Sequence, residues 1–368
     1  MTSPTARIAK DRIYVVAQSG GIAAYTAYDD GSLEALPGSP YSTGRGTFCV
    51  VTTPDGRFLY VAPGQGLGFP VSMPQTYSPH LLAFRIEDDG TLTRIHRLNF
   101  PRTTTPVAMA ISADGRNLYV GVGRGPAGFF FGGIQHIRLA EDGTPSFAGK
   151  PFRLGRVPDG AVTPVISPDG RHVYTPTTVG KQIARVNVAA DGSLSGPVAR
   201  VAAEGVFPIT PAFAGGGRFL YVCNEQSATL SGFERKENGD LVPLPGSPYP
   251  TGKIPHNPVQ TADGRFIYFA NTFSHNVTGY EIGDDGALHE LPSSPFRTPA
   301  GPAALARSTD GTWMYLVSSP IFKEGSKVVV TSFAFGDDGS VTEHQTVPTD
   351  GLTFADGPSI TVVPVAAG

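Results

Sequence analysis

Two ionisable side chains stand where acid–base chemistry is possible. His256 lies in Ile254-Pro255-His256-Asn257-Pro258, directly before an apolar run, and Glu225 ends the apolar run Tyr221-Val222-Cys223-Asn224-Glu225. An imidazole changes charge near neutral pH and can act as a general acid or base. The alternatives are a loop histidine bonded to backbone and a carboxylate paired with an arginine. We expect His256 to be a general base and Glu225 to be its partner or an acid.

Four further polar side chains are candidates for binding a substrate. Asn224 and Asn271 each follow an apolar run, where an amide could orient a ligand carbonyl or cap a bend of the backbone. Asn257 follows His256 directly. Asp159 lies in Val157-Pro158-Asp159-Gly160, at a comparable point of another segment, although Asp-Gly is also an ordinary turn.

Two insertions rich in Gly and Pro bring aromatic side chains to the chain's longest loops. They span 63–79 and 123–133, and a smaller insertion spans 318–327. A mobile apolar lid over a pocket is the functional interpretation, and packing of each loop onto its neighbour is the alternative. The aromatic side chains and the methionine of the two larger insertions are Phe69, Met73, Tyr77, Phe129, Phe130 and Phe131. We expect Tyr77 and the three consecutive phenylalanines to contact substrate.

Familiar motifs of other chemistries are absent from the sequence. It has no G-x-S-x-G, HExxH, CxxC or Walker motif, and no GxGxxG that leads into a helix. None of the eight histidines is spaced as a metal ligand with another His or Cys. We therefore expect no metal and no cofactor. Cys49 and Cys223 lie inside apolar runs, which predicts buried free thiols and is compatible with a reducing compartment.

Composition restricts the fold and the partners. Of 368 residues, 46 are Gly and 34 are Pro, which argues against a mostly helical protein. The formal net charge is -3 and the charges are scattered, so we expect neither a nucleic acid nor an anionic membrane as partner. The chain has no apolar run of 18 residues and no cleavable leader pattern. We expect a cytoplasmic protein with a small-molecule substrate, and the oligomeric state is left open.

A repeated phrase indicates the scaffold that must position these residues. A turn followed by an aromatic apolar run occurs seven times, beginning at Lys10, Asp55, Asp114, Asp169, Gly216, Asp263 and Asp310. A second Asp-Gly or Asn-Gly phrase lies between successive copies, and such pairs favour the tight turns of β-hairpins. Each period then contains four short strands, which is typical of a propeller blade. The Asp residues of these phrases are accordingly interpreted as structural.

Counting strands predicts how the ring closes. Three strands precede the first full copy, and one apolar run, Ser359 to Val365, follows the last copy. The C-terminal run then completes the N-terminal blade, three strands plus one, in an all-β, seven-bladed β-propeller that forms a single domain over residues 1–368. The loop that enters each innermost strand and the loop that leaves the next strand share one face. His256, Glu225 and the insertions are therefore expected at the same channel mouth.

The repeated SPDGRFLYV-like phrase, Asn224-Glu225-Gln226-Ser227-Ala228-Thr229-Leu230 and Pro255-His256 resemble the lactonase family of seven-bladed propellers. That family includes propeller-type 6-phosphogluconolactonases and carboxy-muconate cyclases. In members that act on muconolactones, the resemblance implies a rim His, two Arg and a Glu, and Glu225 matches the family phrase N-E-x-S-x-T-[VL].

Three phrases depart from the family pattern. The chain reads Phe207-Pro208-Ile209-Thr210 where Pro-Arg-His is usual, and Ala270-Asn271-Thr272 where Ser-Asn-Arg is usual. It reads Pro158-Asp159-Gly160-Ala161 where Pro-His-x-His is usual. Loss of both arginines disfavours a multiply anionic substrate, because bidentate carboxylate and phosphate capture depends on them.

Together the residues and the resemblance predict a metal-independent lactone hydrolase or a lactonising isomerase or cyclase. Its substrate would be a small, fairly apolar cyclic metabolite, in specialised rather than central metabolism. The alternative is a catalytically inactive propeller that binds a ligand or protein on the channel-mouth face.

Overall fold

The computed structural model describes residues 7–44, 46–63, 78–124, 130–155, 160–320, 327–355 and 359–365. These residues form 31 strands, and their only helices are two single 3-10 turns, Gly215–Gly217 and Thr272–Ser274. No helix in these ranges has the length and apolar character needed to cross a bilayer.

The strands form seven antiparallel sheets, which are the blades of a propeller. Blade 1 contains β1 (Ala9–Ala17), β2 (Gly21–Tyr28), β3 (Leu33–Ala35) and β31 (Ile360–Pro364). Blade 2 contains β4 (Thr47–Thr52), β5 (Phe58–Pro63), β6 (His80–Ile86) and β7 (Leu92–Asn99). Blade 3 contains β8 (Thr105–Ile111), β9 (Asn117–Arg124), β10 (Phe130–Leu139), β11 (Pro145–Phe147) and β12 (Phe152–Arg153). Blade 4 contains β13 (Val165–Ile166), β14 (His172–Thr177), β15 (Gln182–Val188) and β16 (Leu194–Ala202).

The remaining three blades follow the same order. Blade 5 contains β17 (Pro208–Ala214), β18 (Phe219–Asn224), β19 (Thr229–Arg235), β20 (Leu241–Pro243) and β21 (Tyr249–Pro250). Blade 6 contains β22 (Pro255–Gln260), β23 (Phe266–Asn271), β24 (Asn276–Ile282), β25 (Leu288–Glu290) and β26 (Phe296–Arg297). Blade 7 contains β27 (Pro302–Arg307), β28 (Trp313–Ser318), β29 (Lys327–Phe335) and β30 (Val341–Thr353).

The innermost strand of blade 1 is β31, and in the other blades it is the strand that precedes the first turn phrase. Neighbouring innermost strands contact one another at six blade boundaries, and between blades 4 and 5 the contact is of β17 with β14. The ring closes as the strand count predicted. Strand β31 pairs with β1, from Asp11 opposite Pro364 to Val15 opposite Ile360. The expectation of a seven-bladed propeller whose C-terminal strand completes the first blade is therefore confirmed.

The repeated turns are structural, as expected. In the first phrase the aspartate accepts a hydrogen bond from the backbone two residues later, as Asp55 does from the Arg57 N–H at 3.1 Å. The glycine between them, Gly56, has a φ of 71°, a conformation that few other residues adopt without strain. Both cysteines are free and buried, which confirms that prediction, and burial raises the pKa of the Cys49 thiol to about 12.

Tyrosines join consecutive blades on the face opposite the channel mouth. In blades 1 to 6 the tyrosine of the second strand donates its hydroxyl to a glycine carbonyl in the second turn of the next blade. The boundary between blades 7 and 1 differs. There the Ser332 hydroxyl donates to the Gly31 carbonyl at 2.7 Å, and the Tyr315 hydroxyl lies 3.4 Å from Asp11.

Asp11 makes this closing boundary sensitive to pH. Its side chain is fully buried and accepts hydrogen bonds from the backbone N–H and the hydroxyl of Thr309. Burial raises the pKa of this carboxyl above its ordinary value. The folded protein therefore holds this proton to higher pH than the unfolded chain does. The stability contributed by protonated Asp11 is complete below the unfolded pKa and is lost as pH rises through the folded pKa.

We expect Asp11→Asn to remove this dependence while keeping an acceptor for Thr309. The difference in Tm between the variant and the wild type should shift in favour of the variant as pH rises from about 4 to 7. Thermal unfolding at several pH values measures it. Parallel Tm curves for the two proteins would contradict the assignment.

Candidate active site

The structure brings His256 and Glu225 together at the boundary between blades 5 and 6. His256 lies in β22 and Glu225 directly follows β18. The His256 Nε2 atom and the Glu225 Oε1 atom form a close hydrogen bond. The side chains are only 5% and 11% exposed, so this pair is shielded from bulk solvent yet lies at the end of the propeller predicted to hold the channel mouth.

Local backbone features hold the two side chains in place. The pairing of β22 with β23 shifts register between His256 and Val259, which places a β-bulge directly after the histidine. Asn257, in the bulge, has a φ of 33°. Bulges of this kind redirect a side chain and are frequent beside active sites. On the other side, the Glu225 N–H donates to the Phe207 carbonyl at 3.0 Å, which fixes the point where the carboxylate leaves the strand.

Thr272 decides which imidazole nitrogen carries a proton. Its hydroxyl lies 2.8 Å from the Pro302 carbonyl oxygen and 3.1 Å from His256 Nδ1. A carbonyl can only accept, so the hydroxyl donates to Pro302 and accepts from Nδ1–H. Because Nδ1 holds its own proton, the contact between Nε2 and Glu225 Oε1 must contain one shared proton.

This arrangement lets the pair accept and return a single proton. Glu225 Oε2 makes no hydrogen bond to the residues that the structure describes. A carboxylate oxygen with this freedom, backed by an imidazole in a water-poor setting, is suited to general acid–base catalysis. Thr272 is a functional candidate that the sequence analysis did not single out. The sequence feature that could have identified Thr272 is its position directly after Asn271, because Glu225 likewise directly follows Asn224.

Asn257 has a structural contact. Its amide donates to the Ala303 carbonyl in the innermost strand of blade 7 at 3.0 Å, and the residue is 8% exposed. This bond ties blade 6 to blade 7 directly behind His256. A substrate contact by Asn257 stays a prediction, and this bond uses only one of the two N–H donors of its amide.

Asn224 and Asn271 make hydrogen bonds within their own blades. Both are fully buried, and both amides bond to side chains of the third strand of their own blades. Asn224 Nδ2 lies 2.9 Å from Ser231 Oγ, and Asn271 Nδ2 lies 2.7 Å from Thr278 Oγ1. These bonds fit the structural alternative considered for them, whereas Asn224 Oδ1 has no partner among the described residues, and substrate binding by either residue stays a prediction.

The remaining predicted contacts fall outside what the structure describes. Asp159, Tyr77 and Phe129 lie outside the described residues, and the side chains of Phe130 and Phe131, at the start of β10, are not described. The lid therefore stays a prediction. Ala161 pairs with Thr177 as Pro255 pairs with Asn271, so Val162 holds the register position of His256 in blade 4.

No three side chains from His, Cys, Asp and Glu come together as a metal-binding group within the described ranges.

Comparison with known proteins supports the same scaffold. The family model described as "Lactonase, 7-bladed beta-propeller" matches residues 159–251, which include Glu225, and this confirms the resemblance noted from the sequence. No curated protein matches the chain.

Solved structures of similar proteins cover almost the whole chain. A periplasmic gluconolactonase from Pseudomonas aeruginosa is 20% identical with a TM-score of 0.75, covering 97% of this chain and 100% of its own. A protein from Bacteroides uniformis, provisionally described as a 6-phosphogluconolactonase, is 16% identical with a TM-score of 0.77, again covering 97% and 100%. A protein from Bacteroides fragilis with the same provisional description is 17% identical with a TM-score of 0.76, covering 98% and 100%. At these identities the likeness establishes the fold.

Proposed function

We propose that this protein is a lactone hydrolase whose chemistry is carried out by His256 and Glu225. The observation that carries the proposal is the hydrogen bond between the shielded side chains of His256 and Glu225, together with the contact of Thr272 with His256 Nδ1. The lactonase family match and the names of the structural relatives agree with this reaction class.

The proposed reaction needs one proton taken up and one returned. A water molecule attacks the lactone carbonyl carbon, and the pair accepts the water's proton through Glu225 Oε2. The tetrahedral intermediate then collapses, the ring C–O bond breaks, and the pair returns a proton to the departing alkoxide oxygen. The product is a hydroxy acid, whose carboxyl proton is released to solvent. In this scheme Thr272 is a positioning residue.

The substrate is proposed to be an uncharged small lactone. Ile209 and Thr272 occupy positions where the resemblance implied residues of the arginine-containing phrases, and Thr272 is engaged with His256. Without guanidinium groups there, capture of a phosphate or several carboxylates loses its main contribution. An apolar part of the substrate would contact the predicted aromatic lid, and a role in specialised metabolism and a cytoplasmic location stay predictions.

A panel of lactones tests the function. The wild-type protein should hydrolyse at least one uncharged lactone faster than the uncatalysed rate, in proportion to protein concentration, as followed by proton release at constant pH. A phosphorylated sugar lactone should be a poorer substrate. Binding of lactones without turnover would favour the inactive propeller, and formation of a lactone from an open-chain acid would favour the cyclase.

A further inference from the structure

One position recurs around the channel mouth, directly after the second strand of each blade. In the blades where it is described, its occupants are Gln18, Thr178, Glu225, Thr272 and Ser319, and all are polar. Backbone hydrogen bonds show that the last three are equivalent. The Glu225, Thr272 and Ser319 N–H groups donate to the carbonyls of residues 207, 254 and 301, each directly before an innermost strand. Two of these three side chains already form the site with His256.

Ser319 is buried with its hydroxyl unused. It has no exposed surface, and Ser319 Oγ has no hydrogen-bond partner within the described ranges. The same is true of Ser359 Oγ, whose residue is 1% exposed. A buried hydroxyl without a partner costs about 1–3 kcal/mol, and such groups in folded proteins normally bind water or a ligand. Among the described residues, Thr178 Oγ1 and Ser318 Oγ are also buried without a partner, so Ser319 and Ser359 are singled out by their positions and not by this property alone.

The two serines repeat the placement of the acid–base pair at another blade boundary. In blade 6, His256 pairs with Ala270, the residue before the last of β23. In blade 1, the N–H of Val16, the residue before the last of β1, donates to Ser359 at 2.8 Å. Ser359 in blade 1 therefore corresponds to His256 in blade 6. Ser319 in blade 7 corresponds to Glu225 in blade 5. The boundary of blades 7 and 1 presents two hydroxyls where the boundary of blades 5 and 6 presents an ionisable pair.

The two boundaries are connected along the mouth. Gly301 lies between Thr272 and Ser319, because a Cβ added to it would come within 2.9 Å of the Thr272 carbonyl oxygen and 3.2 Å of the Ser319 carbonyl oxygen. Thr272 in turn contacts His256. The boundary of blades 5 and 6 and the boundary of blades 7 and 1 are therefore linked through Thr272, Gly301 and Ser319.

From this placement we infer that Ser319 and Ser359 form an uncharged subsite that binds a hydroxyl group of the substrate. A serine hydroxyl both donates and accepts, which matches an alcohol that does the same. Gln18 holds the same recurring position in blade 1, and its Nε2 atom is buried without a partner among the described residues. The row of polar side chains therefore continues beyond Ser319 and Ser359. This inference rests on the proposed function. It deepens that function by proposing that one side of the substrate carries uncharged hydroxyl groups.

Two lactams that resist hydrolysis separate binding from turnover. D-glucono-δ-lactam carries ring hydroxyls, and δ-valerolactam has none. We expect Ser319→Ala and Ser359→Ala each to weaken binding of the hydroxylated lactam by about 3- to 10-fold in calorimetry, the loss of one hydrogen bond. Binding of δ-valerolactam should be unchanged. The Tm of each ligand-free variant should equal or exceed that of the wild type, because the hydroxyl removed has no partner among the described residues.

Ser332→Ala is the matched control. Ser332 is equally buried, but its hydroxyl bonds to Gly31 on the opposite face, so the variant should lose stability and keep its lactam affinity. Equal affinities of the wild type and the Ser319 and Ser359 variants, equal weakening for both lactams, or no binding of the hydroxylated lactam to the wild type would each overturn the inference. Serine-dependent lactam binding without any lactone hydrolysis would refute the proposed function and leave the subsite standing.

Discussion

His256→Ala is expected to lower kcat for lactone hydrolysis by about 10²- to 10⁴-fold, the usual contribution of a general acid–base group. KM should change less, because the imidazole is buried behind Glu225 and acts on the proton rather than on the bulk of the substrate. Initial rates of proton release at constant pH, corrected for uncatalysed ring opening, measure the effect.

Glu225→Gln tests the same unit from the other side. The amide keeps the size of the side chain and can still bond to His256, but it cannot take up the proton of the attacking water. We expect a loss of kcat of similar size. His289→Ala is a suitable control for His256→Ala. His289 is exposed on β25 of blade 6, the blade that also contains His256, and its removal should leave kcat unchanged. Full activity in both site variants would refute the assignment of the pair.

Deleting residues 359–368 is expected to produce aggregation and a fall in Tm of about 5–10 °C, if the shortened chain folds at all. The deletion removes β31 and exposes the edge of β1 along the register from Asp11 to Val15. An unpaired edge of buried apolar residues is a template for pairing with another chain. Size-exclusion chromatography and thermal unfolding measure the outcome.

A shorter deletion provides the control for this truncation. Removing residues 366–368 leaves all of β31 and the hydrogen bond from the Val365 N–H to the Lys10 carbonyl. This variant should remain monodisperse if the wild type is, with an unchanged Tm. A protein lacking 359–368 that behaves like this control would contradict closure by β31.

The scaffold was predictable because its determinants are local and repeated. Gly56 and its counterparts need a positive φ whichever blade they lie in, so the turn phrases mark every blade. The single apolar run at the C-terminus could then only supply the missing strand of the first blade. The pairing of His256 with Glu225 followed from which loops share a face, although only the structure shows their contact.

The rest of the site depended on contacts between blades that no local pattern contains. The role of Thr272 arises from the Pro302 carbonyl in the next blade, which fixes the direction of its hydroxyl. Asn224 ends the same strand that Glu225 follows, and successive side chains of a strand point in opposite directions. It therefore bonds inside its blade while its neighbour Glu225 reaches the site.

Hydrolysis in ¹⁸O-labelled water, with the label located in the product by mass spectrometry, tests the central claim most directly. Attack of water on the lactone carbonyl predicts ¹⁸O in the carboxyl group of the hydroxy acid, formed at a rate proportional to wild-type protein and reduced to near the uncatalysed rate by His256→Ala. Label in the alcohol group, or equal rates of labelling with the wild type, with His256→Ala and without protein, would contradict it.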